Sequence, residues 1–227
     1  MKLSKALITT ILTTASFASH ATLVSIDNCS GTAANGPAVT CEITDTPASI
    51  ITPNPNNNTL IAWDEVQNHT LTSDLTVDRV FDPTASFIED IGGGEYVIKA
   101  GTIVSSHYVQ WDPDGLGTID ASIVLDSQVF AFITSDQNLF ASDAQLARPG
   151  IDYNNFTSRG LENADTTVFD NNSTDISWRA TSPGDWTRLI TAYSPAAQVP
   201  EPAPLSIILA SFIGIICRSK HRKVISD

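Results

Sequence analysis

An all-β fold, a β-sandwich of jelly-roll type, is what the sequence predicts for the body of this chain, and three observations predict it. Apolar residues recur at every second position over several short runs, the spacing of a strand with one buried face. Clusters of Gly, Pro, Asn and Asp punctuate those runs at short intervals. One stretch alone, Leu139 to Ala147, hints at a helical turn, with Ser142 or Asp143 as its cap. Hydrophobic residues make up 42% of the 227, enough for a packed core, which excludes disorder throughout.

The first expected element follows from cysteine. Cys29 and Cys41 are the cysteines of the body, and outside the cytoplasm an isolated pair reads as a disulfide. Asn35-Gly36-Pro37 between them supplies a turn that would return the two flanking strands side by side. Strands are expected next over 39–43, 60–63, 71–80 and 96–103, with Gly92-Gly93-Gly94 as a break before the last. His107, Val109 and Trp111 then alternate with Tyr108 and Gln110, and Ile119, Ala121, Ile123 and Leu125 alternate with Asp120, Ser122 and Val124. Asp112-Pro113-Asp114-Gly115-Leu116-Gly117 separates these two runs and predicts a hairpin. Further strands follow over 129–134, 166–169, 176–180 and 186–193, punctuated by Pro149-Gly150 and Ser182-Pro183-Gly184. About ten short strands with no repeat and no internal linker make one extracytoplasmic domain over residues 22–196.

The two ends carry different information. Residues 1–21 begin Met1-Lys2-Leu3-Ser4-Lys5, continue through an apolar, Thr-rich stretch to Ala18, and close with Ser19-His20-Ala21. A basic head, an apolar middle and a small-x-small end make a secretory signal peptide, and signal peptidase its processing partner. At the other end, 197–227, Val199-Pro200-Glu201-Pro202-Ala203-Pro204 leads into the apolar run 205–217 and then Arg218, Lys220, Arg222 and Lys223. As a helix that run would cover about 20 Å, short of the ~30 Å hydrocarbon core. The basic residues behind it hold their flank on the cytoplasmic side. The prolines ahead of it cannot continue a helix upstream. The unit is a stalk, a short membrane helix and a cytoplasmic stop.

Pro-Glu-Pro, an apolar helix and a terminal basic cluster, in that order, resemble the PEP-CTERM sorting signal of Gram-negative bacteria. The resemblance covers only Val199 to Lys223, together with the signal peptide. It implies that Pro200, Glu201 and Pro202 are read by exosortase, a membrane-embedded transpeptidase-like enzyme, and that Arg218, Lys220, Arg222 and Lys223 retain the precursor in the membrane. Passage through the inner membrane, a membrane-anchored precursor and final residence on the cell surface or in the extracellular matrix follow as expectations. The apolar run departs from the family pattern in carrying Ser206 and Ser211, and the tail Val224 to Asp227 extends past the basic residues.

Within the body, charge narrows the choice of function. Six of the 12 basic residues lie in the two ends while 23 of the 25 acids lie between them, so the body is strongly acidic. That balance excludes a nucleic-acid binder, which needs clustered Lys and Arg against phosphates. Asp112, Asp114 and Asp120 alternate around glycines as in a calcium loop, although Leu116 stands at the fifth position and no Glu closes the twelfth. The same residues also make a β-turn whose Asp side chains cap backbone amides. Trp111 and Trp178 fall on core faces, whereas Trp63 borders Asp64-Glu65 and is the candidate to stack on a sugar ring of an extracellular polysaccharide. The Asn54 to Asn58 and Asp170 to Asn172 runs read as surface loops. His69 and His107 lack a Gly-x-Ser-x-Gly elbow, Gly92-Gly93-Gly94 lacks the Lys and helix of a phosphate loop, and Arg159-Gly160-Leu161-Glu162 suggests an ion pair clamping a loop. No cofactor other than calcium is expected. The reading is a non-catalytic binding or structural protein, with a glycan-binding module or glycan-active enzyme as the alternative.

Overall fold

In the computed structural model, residues 23–33, 38–45, 58–153, 159–162, 165–182 and 184–193 are described. The signal segment, the Asn35-Gly36-Pro37 turn, Asn54 to Asn57, and the whole tail with Pro200, Glu201, Pro202, the apolar run and the basic cluster lie outside them. Among the described residues no helix is long and apolar enough to cross a membrane.

The elements are, in chain order, β1 (Leu23–Ala33), β2 (Thr40–Ile43), β3 (Thr59–Asp64), β4 (His69–Thr70), β5 (Leu75–Val77), β6 (Arg79–Val80), β7 (Ile88–Gly92), β8 (Glu95–Ile98), β9 (Ile103–Trp111), β10 (Gly117–Leu125), β11 (Val129–Ile133), α1 (Asp136–Leu146), β12 (Thr166–Asp170), β13 (Ser173–Trp178) and β14 (Asp185–Thr191). The all-β expectation holds. Strands dominate, and they form a sheet in the order β1-β10-β13-β12, a larger one in the order β2-β3-β9-β14-β11-β6 with β4 beside β9, and a small one in the order β5-β8-β7.

Two apolar cores explain how these sheets stack. Leu60, Ala62, Val109, Trp111 and Leu189 of the large sheet pack against Ile119, Ala121, Ile123, Ile176 and Trp178 of the β1-β10-β13-β12 sheet. On its other face the large sheet offers Trp63, Tyr108, Trp186 and Ile190, which meet Leu75, Val77 and Ile98 of the small sheet and Leu139 and Leu146 of α1. The large sheet is therefore a middle layer, covered on both faces. All seven residues of β14 are buried as a result. Period-two patterning correctly finds its strands but assigns their polar faces to solvent, because alternation cannot say what covers the second face.

The hairpin expected at Asp112–Gly117 does not form. β9 pairs with β14 over seven residue pairs and with β3 and β4, while β10 pairs with β1 and β13. Turn chemistry reports that the chain reverses, not which neighbour each strand takes, and here the loop carries the chain from one sheet to the next. Gly117 is required by that crossing, since a Cβ there would stand 2.6 Å from the Trp111 indole. Nor do the strands flanking the disulfide lie side by side. β1 belongs to the outer sheet and β2 pairs parallel with β3 in the large one, so Cys29 and Cys41, with Cα atoms 6.0 Å apart, bridge two sheets.

Two long strands expected over 71–80 and 96–103 are broken. Gly101 N–H donates to the Leu71 carbonyl and Ala100 N–H to Asp74, so 99–102 is a turn between β8 and β9. The helix begins earlier than expected, with Ser135 as N-cap. Its first turn is held by Asp78, whose carboxylate accepts from the Ser135 N–H (2.8 Å), the Ser135 hydroxyl (2.9 Å) and Asn138 Nδ2 (2.6 Å). Ser142 and Asp143, expected as caps, lie inside the helix and face the middle layer.

Candidate functional site

Covering both faces of a polar-patterned sheet forces its inward polar groups to find partners, since an unpaired buried charge is costly. Arg188 is the central case. Its side chain and that of Glu65 are both 0% exposed. All five guanidinium N–H groups are used: Nε donates to Glu65 Oε2 (2.6 Å), Nη2 to Glu65 Oε1 (2.7 Å) and Asp143 Oδ1 (2.9 Å), and Nη1 to the Leu139 carbonyl (3.2 Å) and the Ser142 hydroxyl. The Ser106 hydroxyl donates to Glu65 as well. Arg159 completes the cluster, donating from Nη1 to Asp143 Oδ2 (2.9 Å) and from Nη2 to Tyr108 Oη (3.0 Å). Two arginines and two carboxylates thus balance.

Tyr108 and Tyr153 roof this cluster, with the Arg188 guanidinium carbon 5.1 Å from the Tyr108 ring centre and 5.6 Å from that of Tyr153. Burial pushes the Tyr108 hydroxyl up to about 12 against the pull of Arg159 and Arg188. Burial, with the Glu65 charge second, raises Tyr153 as well. Burial alone would lower the arginines, but Glu65 overcomes it for Arg188, and Tyr108 with Asp143 for Arg159. This cluster ties α1 and the loop after it to the middle sheet. With its central ion pair fully enclosed, it offers no face to a substrate.

A second buried array had no signal in the sequence. His107 places Nδ1 2.5 Å from Asp64 Oδ1 and Nε2 3.0 Å from the Thr191 hydroxyl. Carboxylate, imidazole and hydroxyl in line is the order of parts in a nucleophilic triad. Here the hydroxyl and the imidazole are both 0% exposed. The array crosses from β3 through β9 to β14 and works as a cross-strand tie.

The residues singled out from the sequence fall as follows. Trp63, expected half-exposed, is 0% exposed; its indole lies 4.9 Å from the Tyr108 ring and its N–H donates to the Tyr153 hydroxyl at 3.3 Å. A sugar needs an open ring face, so Trp63 is no stacking platform. The neighbouring charges that suggested exposure are themselves turned inward, Glu65 onto Arg188 and Asp64 onto His107. Asp112, Asp114 and Asp120 do not converge into a calcium loop. Asp112 is buried, Asp114 is exposed, and Asp120 lies on the outer face of β10 opposite Ser30 and Ser177. Burial pushes the Asp112 carboxyl up to about 6, opposed by a hydrogen bond with Ser182 and helped by the Asp114 charge. Asp120 instead lines a shallow groove of about 280 Å³ with Ser122, Asp175 and Ser177, a lining without any aromatic ring. Arg159 pairs with Asp143 rather than Glu162.

Glu162 belongs to a different group. One carboxylate oxygen from each of Glu162, Asp165 and Asp185 lies within 4.8 Å of the other two. Asp185 opens β14 opposite Trp111. Gly184 ahead of it has φ +91°, and a Cβ there would stand 2.4 Å from the Trp111 carbonyl, so only glycine lets the chain enter the sheet at this point. Residues 159–162 are pinned alongside: Trp186 N–H donates to the Gly160 carbonyl (3.2 Å) and Leu161 N–H to that of Thr134 (2.8 Å). Asp165 accepts from Arg179 N–H on Oδ1 and from Glu162 N–H on Oδ2, each at 2.8 Å. Burial, then the Asp165 charge, then Glu162, push Asp185 up to about 9. Burial also raises Asp165 despite its two N–H donors. Glycoside cleavage needs two carboxyls facing one substrate, whereas Asp165 and Asp185 are 2% and 1% exposed and only Glu162 reaches solvent. Acids so far apart in sequence gave no motif to read.

No family model matches this chain, and neither a curated protein nor a solved structure matches it.

Proposed function

We propose that this chain is an exported, exosortase-sorted protein of a Gram-negative cell envelope or extracellular matrix, with a jelly-roll-like β-sandwich body that binds or builds rather than catalyses. The observation that carries residence outside the cytoplasm is the Cys29–Cys41 disulfide, a bond that persists only in an oxidising compartment. The signal-peptide pattern of residues 1–21 and the Pro200-Glu201-Pro202 motif with its apolar run and basic cluster support the sorting route. A chain that passes from sheet to sheet at β9–β10, β10–β11 and β13–β14 supports the jelly-roll reading.

The mass of the protein recovered from cells tests the route, because it reports cleavage at both ends together. Loss of residues 1–21 with cleavage near Pro200 is expected; a full-length product in cells that possess exosortase would refute it. Polysaccharide contact is the second reading, and one observation favours it. Phe81, 40% exposed, stands with Phe87 and Phe130 around a recess of about 110 Å³ whose wall includes Asp82 and Gln128. An apolar ring beside polar groups is the makeup of a sugar site. Phe81→Ala should then weaken retention on matrix polysaccharide at least several-fold, and unchanged retention would remove that reading.

A further inference from the structure

We propose that Glu162, Asp165 and Asp185 form a binding site for a hard divalent cation of the calcium type at the start of β14. The donors are all carboxylate oxygens, the ligand set that suits calcium, magnesium or manganese and not the softer metals. Calcium's tolerance of irregular geometry favours it over magnesium, which demands a near-ideal octahedron. Two oxygens held at about 2.4 Å by one ion are at most about 4.8 Å apart, and the three carboxylates already lie within that separation of one another.

A second observation points to a ligand independently of the clustering. Asp185 is 1% exposed, and neither of its carboxylate oxygens meets an N–H or hydroxyl donor; its contact is with the Glu162 carboxyl. A polar group so buried is ordinarily satisfied, and these oxygens face the other two carboxylates rather than any donor. The charges acting on Asp185, Asp165 and Glu162, are both negative. Arg179 contributes only its main-chain N–H to the cluster, and Arg159 is committed to Asp143 and Tyr108. What the site lacks is positive charge.

The surroundings also suit an ion. Each Asp165 oxygen is aimed by one backbone N–H and keeps a lone pair, so its position is fixed while it can still ligate. Exposed Glu162 provides the entry side, where water completes the six to eight oxygens calcium takes. Rigid walls stand behind: Gly184 seats against the Trp111 carbonyl, and Trp186 N–H is bonded to Gly160. A bound ion would join β14 to a segment that otherwise meets it through main-chain hydrogen bonds. Affinity in the range of extracellular calcium modules, about 10⁻⁴ to 10⁻³ M, suits this number of ligands.

The test uses the full-length chain in mild detergent, stripped with chelator and then titrated. Terbium serves as the luminescent probe, since the Trp186 indole follows Asp185 directly and can sensitise it. Calcium is expected to raise the melting midpoint over the millimolar range and to displace terbium. Asp185→Asn should abolish both effects while melting no lower than the calcium-free wild type, because the amide fills the same volume and brings no charge into the interior. Glu162→Gln, at an exposed position where folding is not at stake, should weaken terbium binding at least about tenfold. The proposal is overturned if millimolar calcium leaves the wild-type midpoint unmoved and terbium dark. It is equally overturned if the calcium effect survives both substitutions, or disappears instead on Asp114→Asn. None of these outcomes depends on whether the tail is cleaved.

Discussion

Glu65→Gln isolates the strongest electrostatic commitment in the fold. The substitution keeps the shape of the side chain but turns one acceptor into a donor, which then faces the N–H groups of Arg188, and it removes one of two negative charges balancing Arg159 and Arg188. Arg188 loses its bidentate partner at 2.6 and 2.7 Å and keeps only Asp143 as a counter-charge. Since both side chains are 0% exposed, water cannot make good the loss. Removing one partner of such a pair costs about 3–5 kcal/mol. In a domain of this size each kcal/mol moves the melting midpoint by roughly 2–4 °C, so a fall of about 6–20 °C is expected by calorimetry at neutral pH. The paired replacement Glu65→Leu with Arg188→Met should recover most of that loss, since apolar groups of similar volume need no partner. A cost below about 1 kcal/mol for Glu65→Gln would refute the account, as it would mean that the pair carries no uncompensated charge when broken.

Three further outcomes follow. Replacing Cys29 and Cys41 together by Ser releases a crosslink spanning 12 residues, worth about 3 kcal/mol of chain entropy, so the melting midpoint should drop by roughly 6–12 °C; an unmoved midpoint would mean that the bridge constrains nothing. The Asp185 carboxyl, held up to about 9 when folded, keeps a proton that the unfolded chain releases near pH 4. Without calcium, stability should therefore fall as pH rises between those values, with a slope of up to about 1.4 kcal/mol per unit. Asp112, at about 6, adds in the same direction only over the lower part of that window. Urea unfolding at pH 6, 7 and 8 in chelator should show the slope, and Asp185→Asn should flatten it above pH 6; an equal slope in both proteins would show that Asp185 is not its source. Glu201→Ala should leave unprocessed precursor in the membrane fraction, and maturation like wild type would remove the sorting signal from consideration.

Legibility from the sequence varied with the kind of signal. Alternation located β9, β10 and β14, because side-chain period is a local property of a strand. The same alternation could not show that Tyr108, Arg188 and Gln110 face a second core, since that depends on α1 and the small sheet docking behind them. The strand around Cys29 was implied by the disulfide, but its length was not legible because its middle, Asp27-Asn28-Cys29-Ser30-Gly31, is polar and Gly-containing, as the outward side of an edge strand can be. The disulfide was readable because cysteine has few alternative uses outside the cytoplasm, but its role was not: spacing alone suggested adjacent strands where the bond spans two sheets. Trp63 is buried despite its charged neighbours because Asp64 and Glu65 turn inward onto His107 and Arg188. The carboxylate group at Glu162, Asp165 and Asp185 was invisible, since only the folding of β14 beside Glu162 and Asp165 brings those acids together.

The position of β14 bears on how such a chain can be produced. It is the last of the described strands to be made, yet it lies between β9 and β11 in the middle layer and contributes every one of its residues to the interior. Synthesis runs from the N-terminus, so the earlier strands must wait with a central slot vacant until residues 185–191 arrive. Any polypeptide cut short before that point is left with two exposed strand edges and an open core, and is marked for proteolysis rather than assembly. Closure of the middle layer therefore waits on residues 185–191, long after its neighbours β9 and β11 have been made.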